Sequence, residues 1–163
     1  MSFENELNKI YRKIAEKIND MIPVEWEEFY FNGEVKDREG GVYFFYTTVD
    51  EKQEYKYSHY IPRMYNVDRR IYNQFLHELF DLTVQLQQVF IDNQQEAWFS
   101  VTMIVNGEGE LTVRFSYVNW NDSEFGPSDR IEYFEYKYLN RELTDEIDKE
   151  LMARMKKYEE ERS

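Results

Sequence analysis

The 163-residue chain contains no cysteine, so it has neither a disulfide framework nor the thiolates of a typical structural metal site. Histidine is almost as scarce. His59 and His77 lie far apart, with nothing nearby to complete a zinc site or a general-base pair, and both read as ordinary surface or boundary residues. No glycine-rich phosphate loop, nucleophile elbow or HExxH stretch occurs. Glu25, Glu27 and Glu28 could face Asp37 and Glu39 across a hairpin, but the fixed ligand spacing and central glycine of a calcium loop are missing. The expectation is a protein without catalysis, cofactor or metal. No apolar run approaches the roughly 20 residues that span a bilayer. The acidic start Met1-Ser2-Phe3-Glu4-Asn5-Glu6 lacks the apolar core of a signal peptide, so a soluble, cytoplasmic protein is expected.

Positive charge is also in short supply. Against 33 Asp and Glu stand 20 Lys and Arg, for a formal net charge of −13. Disordered acidic chains are poor in aromatics, yet this one carries 14 Tyr, 12 Phe and 3 Trp, enough apolar area to order a core. A folded acidic surface repels nucleic acid and anionic membranes and draws in basic partners. The length suits one domain over residues 1–163 that needs no covalent staple.

Periodicity outlines an α+β protein, an antiparallel sheet of about five strands with helices packed on it. Phe3, Leu7, Ile10, Ile14, Ile18 and Met21 form one helical stripe that Pro23 ends. Val24–Phe31 reads as a strand whose alternation slips at Glu27-Glu28, a bulge or a strand edge. After a turn at Asp37–Gly41, the continuous run Val42–Val49 suits a strand covered on both faces. Glu54–Tyr60 alternates like a half-exposed strand, with Lys56 as an edge-protecting charge and His59 on the exposed side. Ile61–Val67 reads as an extended link. Asp68 is the candidate cap of the longest helix, with Ile71, Phe75, Leu79, Leu82, Leu86, Val89 and Phe90 on one face and an end at Asp92-Asn93. Trp98–Val105 and Glu110–Val118 form a hairpin across Asn106-Gly107.

Asn119–Pro127 is a polar loop. Ser128 can cap a short helix through Ile131, Phe134 and Tyr138, although Tyr133 and Tyr136 also permit a strand. A last helix runs from about Thr144 to Glu160, with Leu143, Ile147, Leu151, Met155 and Tyr158 as its seam and a frayed acidic tail. Large aromatics dominate binding energy at interfaces, which makes Trp120, Phe125, Tyr57 and Tyr60 candidate anchors. Asp122, Glu124 and Asp129 are the nearby charges. Trp120 and Phe125 have a second available role, plugging the core where the chain leaves the hairpin.

The segment Met21-Ile22-Pro23-Val24-Glu25-Trp26 follows an amphipathic helix. With Tyr57-Ser58-His59-Tyr60-Ile61-Pro62-Arg63-Met64-Tyr65-Asn66-Val67, Tyr117-Val118-Asn119-Trp120 and Phe125-Gly126-Pro127-Ser128, it resembles the YezG-like immunity proteins of Gram-positive bacteria. The resemblance runs from about Phe3 to Leu139. It implies an antitoxin that binds the C-terminal nuclease domain of a type VII-secreted polymorphic toxin in the producing cytoplasm. The expected partner surface is a basic protein cleft, with no direct contact to nucleic acid or membrane, and the expected state is a monomer or weak dimer. A second function class is a chaperone-like adaptor that holds a secreted partner without blocking its chemistry. The family tends to place a Gly and a Pro after the short aromatic helix, whereas this chain has Leu139-Asn140-Arg141-Glu142-Leu143.

Overall fold

A computed structural model describes residues 2–163, which divide into two compact units, one running to Phe115 and the other Ser116–Ser163. The first holds α1 (Phe3–Met21), β1 (Trp26–Lys36), β2 (Glu39–Thr48), β3 (Lys56–Tyr57), α2 (Ile61–Tyr65), α3 (Arg69–Asp92), β4 (Ser100–Val105) and β5 (Leu111–Ser116), whose last residue opens the second unit. The second holds α4 (Pro127–Tyr138) and α5 (Glu146–Arg162). The five strands form one sheet in the order β3-β2-β1-β4-β5, and β1 runs antiparallel to both β2 and β4. This is the expected α+β architecture.

α1 forms where the periodicity places it. Ser2 caps it by accepting from the Asn5 N–H, and Ile10, Ile14, Ile18 and Met21 are its buried stripe. Each such aliphatic side chain contributes about 1.5–3 kcal/mol on burial. α3 is capped by Asp68, which accepts from the N–H groups of Arg70 and Ile71. Its buried face is Tyr72, Leu79, Thr83, Leu86, Gln87 and Phe90; Ile71, expected on that face, is 54% exposed. The Gln87 amide donates to the carbonyls of Val35 and Trp98, tying the helix to the sheet layer below it.

The strands differ from expectation in length. β1 continues through Asn32-Gly33-Glu34, which propensity reads as a strand end. Asn32 is buried there and accepts from the Thr102 hydroxyl. Gly33 fits because α3 comes so close that an added Cβ would lie 2.7 Å from Thr83 Cγ2. The pairing of β1 with β2 shifts register between Trp26 and Glu28, where alternation slips in the sequence. Phe44–Thr48 are buried without a break, as the continuous run of β2 predicts.

The β1–β2 hairpin turns through Asp37 and Arg38, both at positive φ. Just beyond, Gly40 has φ 153°, and a Cβ there would stand 1.9 Å from the Glu34 carbonyl oxygen, whereas one at Gly41 would meet nothing within 4 Å. Gly40→Ala is therefore expected to destabilise by at least the roughly 1–3 kcal/mol of a forced backbone conformation. Gly41→Ala is expected to stay within about 1 kcal/mol. Urea unfolding of the two variants checks the contrast; equal midpoints would contradict it.

β3 is only two residues long, against the strand expected over Glu54–Tyr60. Ser58–Tyr60 form a 3-10 turn and Ile61–Tyr65 a short helix, where an extended link was expected. Side chains complete the margin of β2 that β3 leaves open. Ser58 Oγ accepts from the Phe44 N–H at 3.0 Å, and His59 Nε2–H donates to the Val42 carbonyl at 3.2 Å. Lys56 is not an exposed edge charge. It is buried, with its ammonium 3.1 Å from Glu51 Oε1 and 3.8 Å from Glu54 Oε2, and so ties the β2–β3 loop to the strand.

In the second unit the N-cap of α4 is Gly126, not Ser128, with Pro127 at the first helical position and the Asp129 carboxylate accepting from the Gly126 N–H at 3.1 Å. Asn140 takes a left-handed φ of 54° and returns the Arg141 N–H to the Glu135 carbonyl. It thus does what glycine commonly does at a helix C-terminus. α5 is capped by Asp145 and is helical through Arg162, across the acidic tail expected to fray. Glu159 accepts from the Tyr133 hydroxyl at 2.8 Å and pairs with Lys137. The packed positions of α5 are Met152 and Met155, while Ile147 is 73% exposed.

Candidate partner interface

The seven candidate residues fall into two groups, Tyr57 and Tyr60 in the first unit and Trp120, Asp122, Glu124, Phe125 and Asp129 in the second. In the first group the rings form a stepped cluster. Tyr57 stacks parallel on His59 at 5.0 Å, Tyr60 meets Tyr57 edge-on at 5.2 Å, and Phe45 lies behind Tyr57 at 5.2 Å. The Arg63 guanidinium sits 5.3 Å over the Tyr60 ring. Tyr57 is half-buried, and Tyr60 is exposed. The turn that carries them is fixed from beneath, because the Tyr72 hydroxyl donates to the Ser58 carbonyl at 2.5 Å. Burial pushes the Tyr72 phenol well above its ordinary pKa, so it stays a donor.

In the second group, the structure gives Trp120 and Phe125 the core role of the two open to them. Both are buried, and Trp120 packs against the rings of Phe125, Tyr133 and Tyr158. The Tyr158 hydroxyl donates to the Asn119 carbonyl at 2.9 Å and locks the loop over this ring cluster. Burial pushes up the Tyr133 phenol, and its bond to Glu159 pushes it the same way. Asp122 is exposed, bonded from the Asn119 amide, and Glu124 is exposed in an ion pair with Arg154. Asp129 serves the first turn of α4. The surface of this group is thus acidic and its rings are interior.

A third feature lies between α1 and α3. An open groove of about 400 Å³ is lined by Lys13, Glu16, Lys17 and Asp20 from one helix and Glu78 and Asp81 from the other. Lys17 bridges it to Glu78 at 2.8 Å, and that hydrogen bond lowers the Glu78 pKa. Among the described residues, no group of three or more His, Cys, Asp or Glu side chains is placed to hold a metal ion, and no helix is long and apolar enough to cross a membrane.

The chain matches the family described as Immunity protein YezG-like over residues 7–153, and it belongs to that family. It is 38% identical over 137 residues to the type VII secretion system protein EsaG of Staphylococcus aureus, covering 84% of this chain and 83% of that protein. It is also 34% identical over 146 residues to the immunity protein YezG of Bacillus subtilis, covering 90% of this chain and 96% of that one. The YezG of Bacillus spizizenii is likewise 34% identical, over 134 residues, or 82% of this chain and 83% of that one.

Periodicity singles out neither Arg63 nor the short helix that carries it, although Arg63 lies over the Tyr60 ring. Two local signals were available. Pro62 sits in the first turn of α2, a position where proline favours a helix start, and Asn66 ends that helix in the left-handed conformation.

Proposed function

We propose that this immunity protein neutralises the C-terminal nuclease domain of a type VII-secreted toxin by binding it in the producing cytoplasm. The observation that carries this reading is the similarity to EsaG, a protein named for that secretion system, across 84% of the chain. The net charge of −13 supports it, because nucleases present basic clefts to their substrate and an acidic inhibitor is steered toward them. On this reading the chain acts by binding rather than by catalysis, as a monomer or weak dimer, and touches no nucleic acid itself. Tyr57 and Tyr60 supply apolar contact, and Asp122 and Glu124 supply steering charge.

The purified toxin nuclease domain, plasmid DNA and one equivalent of the chain test the proposal. Cleavage is expected to stop. Continued cleavage within an intact complex would instead support a holding adaptor. Asp122→Asn combined with Glu124→Gln leaves the fold in place, since an exposed ion pair such as Glu124–Arg154 contributes only about 0–1 kcal/mol. The double variant is expected to associate more slowly at low salt, converge with the parent at high salt, and dissociate at an unchanged rate. Stopped-flow or surface-plasmon traces check it, and identical association rates at low salt would place the steering charge elsewhere.

A further inference from the structure

We infer that the corner built by the 58–60 turn, α2 and the first turn of α3 is a second docking surface, opposite in sign to the rest of the protein, that receives a short acidic polypeptide segment carrying apolar side chains. Tyr60 is shared with the toxin reading, on which the inference does not otherwise rest. Between Tyr57 and Tyr72 the chain has Arg63, Arg69, Arg70 and His59 against a single carboxylate, Asp68. That carboxylate is engaged by the N–H groups of Arg70 and Ile71. Although the chain has 33 Asp and Glu, none of the three exposed arginines has an ion-pair partner among the described residues. Three exposed cations without ion-pair partners leave this corner able to pair with carboxylates of a ligand.

Apolar surface accompanies those cations. Tyr60 is 51% exposed, Met64 48% and Ile71 54%. Tyr, Met and Arg are the side chains enriched at protein interfaces. The platform is also rigid before anything binds. Ser58 is held by Phe44 and Tyr72, and the Tyr46 hydroxyl donates to that of Tyr65 at 3.3 Å. A supporting turn that need not be ordered on binding lowers the entropic cost.

Charge identifies the occupant. A second copy docked by a two-fold axis on this corner would set arginines against arginines. A nucleic acid would extend its phosphates past the corner into the field of a −13 protein, and it offers Met64 and Ile71 no aliphatic partner. A short segment rich in Glu or Asp confines its charge to the corner and meets both requirements.

Fluorescence anisotropy with the whole chain tests this, using as probe a short labelled glutamate-rich peptide that carries one Leu and one Phe. The same peptide with Lys replacing Glu, and a short oligouridylate, are the competing probes. The acidic peptide is expected to bind, and Arg63→Ala with Tyr60→Ser to weaken it by about tenfold or more. Arg70→Glu is the companion variant. A carboxylate in the first turn of a helix is favoured, so this change preserves the fold while reversing a charge, and it is expected to weaken the peptide as well. No binding of the acidic peptide, equal binding of the lysine peptide, preference for the oligouridylate, or undiminished binding by folded Arg70→Glu would each overturn the inference.

Discussion

Replacing Trp120 by alanine is expected to cost about 3–5 kcal/mol, the usual loss when a buried large aromatic is truncated. The ring is 6% exposed and has Phe125, Tyr133 and Tyr158 around it, so its removal leaves a cavity among three other rings rather than a gap on the surface. Urea unfolding of the whole chain, followed by near-ultraviolet circular dichroism, would register the loss, and Trp120→Phe is expected to recover part of it. The same variant separates a core plug from a partner anchor. A core Trp120 predicts low stability with toxin dissociation unchanged under conditions where the variant remains folded. An anchor would instead give normal stability and rapid dissociation, and that outcome would reject the core assignment.

Leu79→Ala is expected to destabilise by about 2–5 kcal/mol, while Glu16→Ala stays within about 0.5 kcal/mol. Leu79 is fully buried at the middle of α3, in the core that joins α1 to Phe29, Phe31 and Val101 of the sheet. Glu16 lies exposed along the groove on α1. Thermal or urea midpoints decide the comparison, and coincident midpoints would mean that the face of α3 is wrongly phased.

Helices with strong periodicity and a side-chain cap were legible to within a residue or two. Asp68 and the heptad-like spacing of Leu79, Leu86 and Phe90 identify α3, and Asn106-Gly107 identifies the β4–β5 hairpin. The slip at Glu27-Glu28 was legible because a bulge interrupts the two-residue period itself. The 58–65 region was not, since Tyr55 and Tyr57 imitate strand alternation while the determinants of the turn are remote in sequence. Those determinants are the Tyr72 hydroxyl on the Ser58 carbonyl and the Phe44 N–H on Ser58 Oγ. Lys56 shows the same difficulty. A lysine in an alternating segment signals an exposed edge, and only folding of the 49–55 loop brings Glu51 and Glu54 around its ammonium. For the candidate site, the sequence identified the aromatic residues. It could not sort interior Trp120 and Phe125 from exposed Tyr60, because ring size predicts burial and binding alike.

The side-chain completion of the β2 margin bears on how concentrated solutions of this protein behave. Unpaired backbone groups along a sheet margin are templates for another molecule's strand, and such growth leads to aggregation. Ser58 and His59 occupy two of those groups on β2, and the short helix that follows closes off further extension of β3. At the opposite margin, β5 carries exposed Arg114 in mid-strand, where a bulky charge opposes recruitment of a foreign strand. With both margins guarded, lateral polymerisation of the sheet is discouraged even where the protein is concentrated.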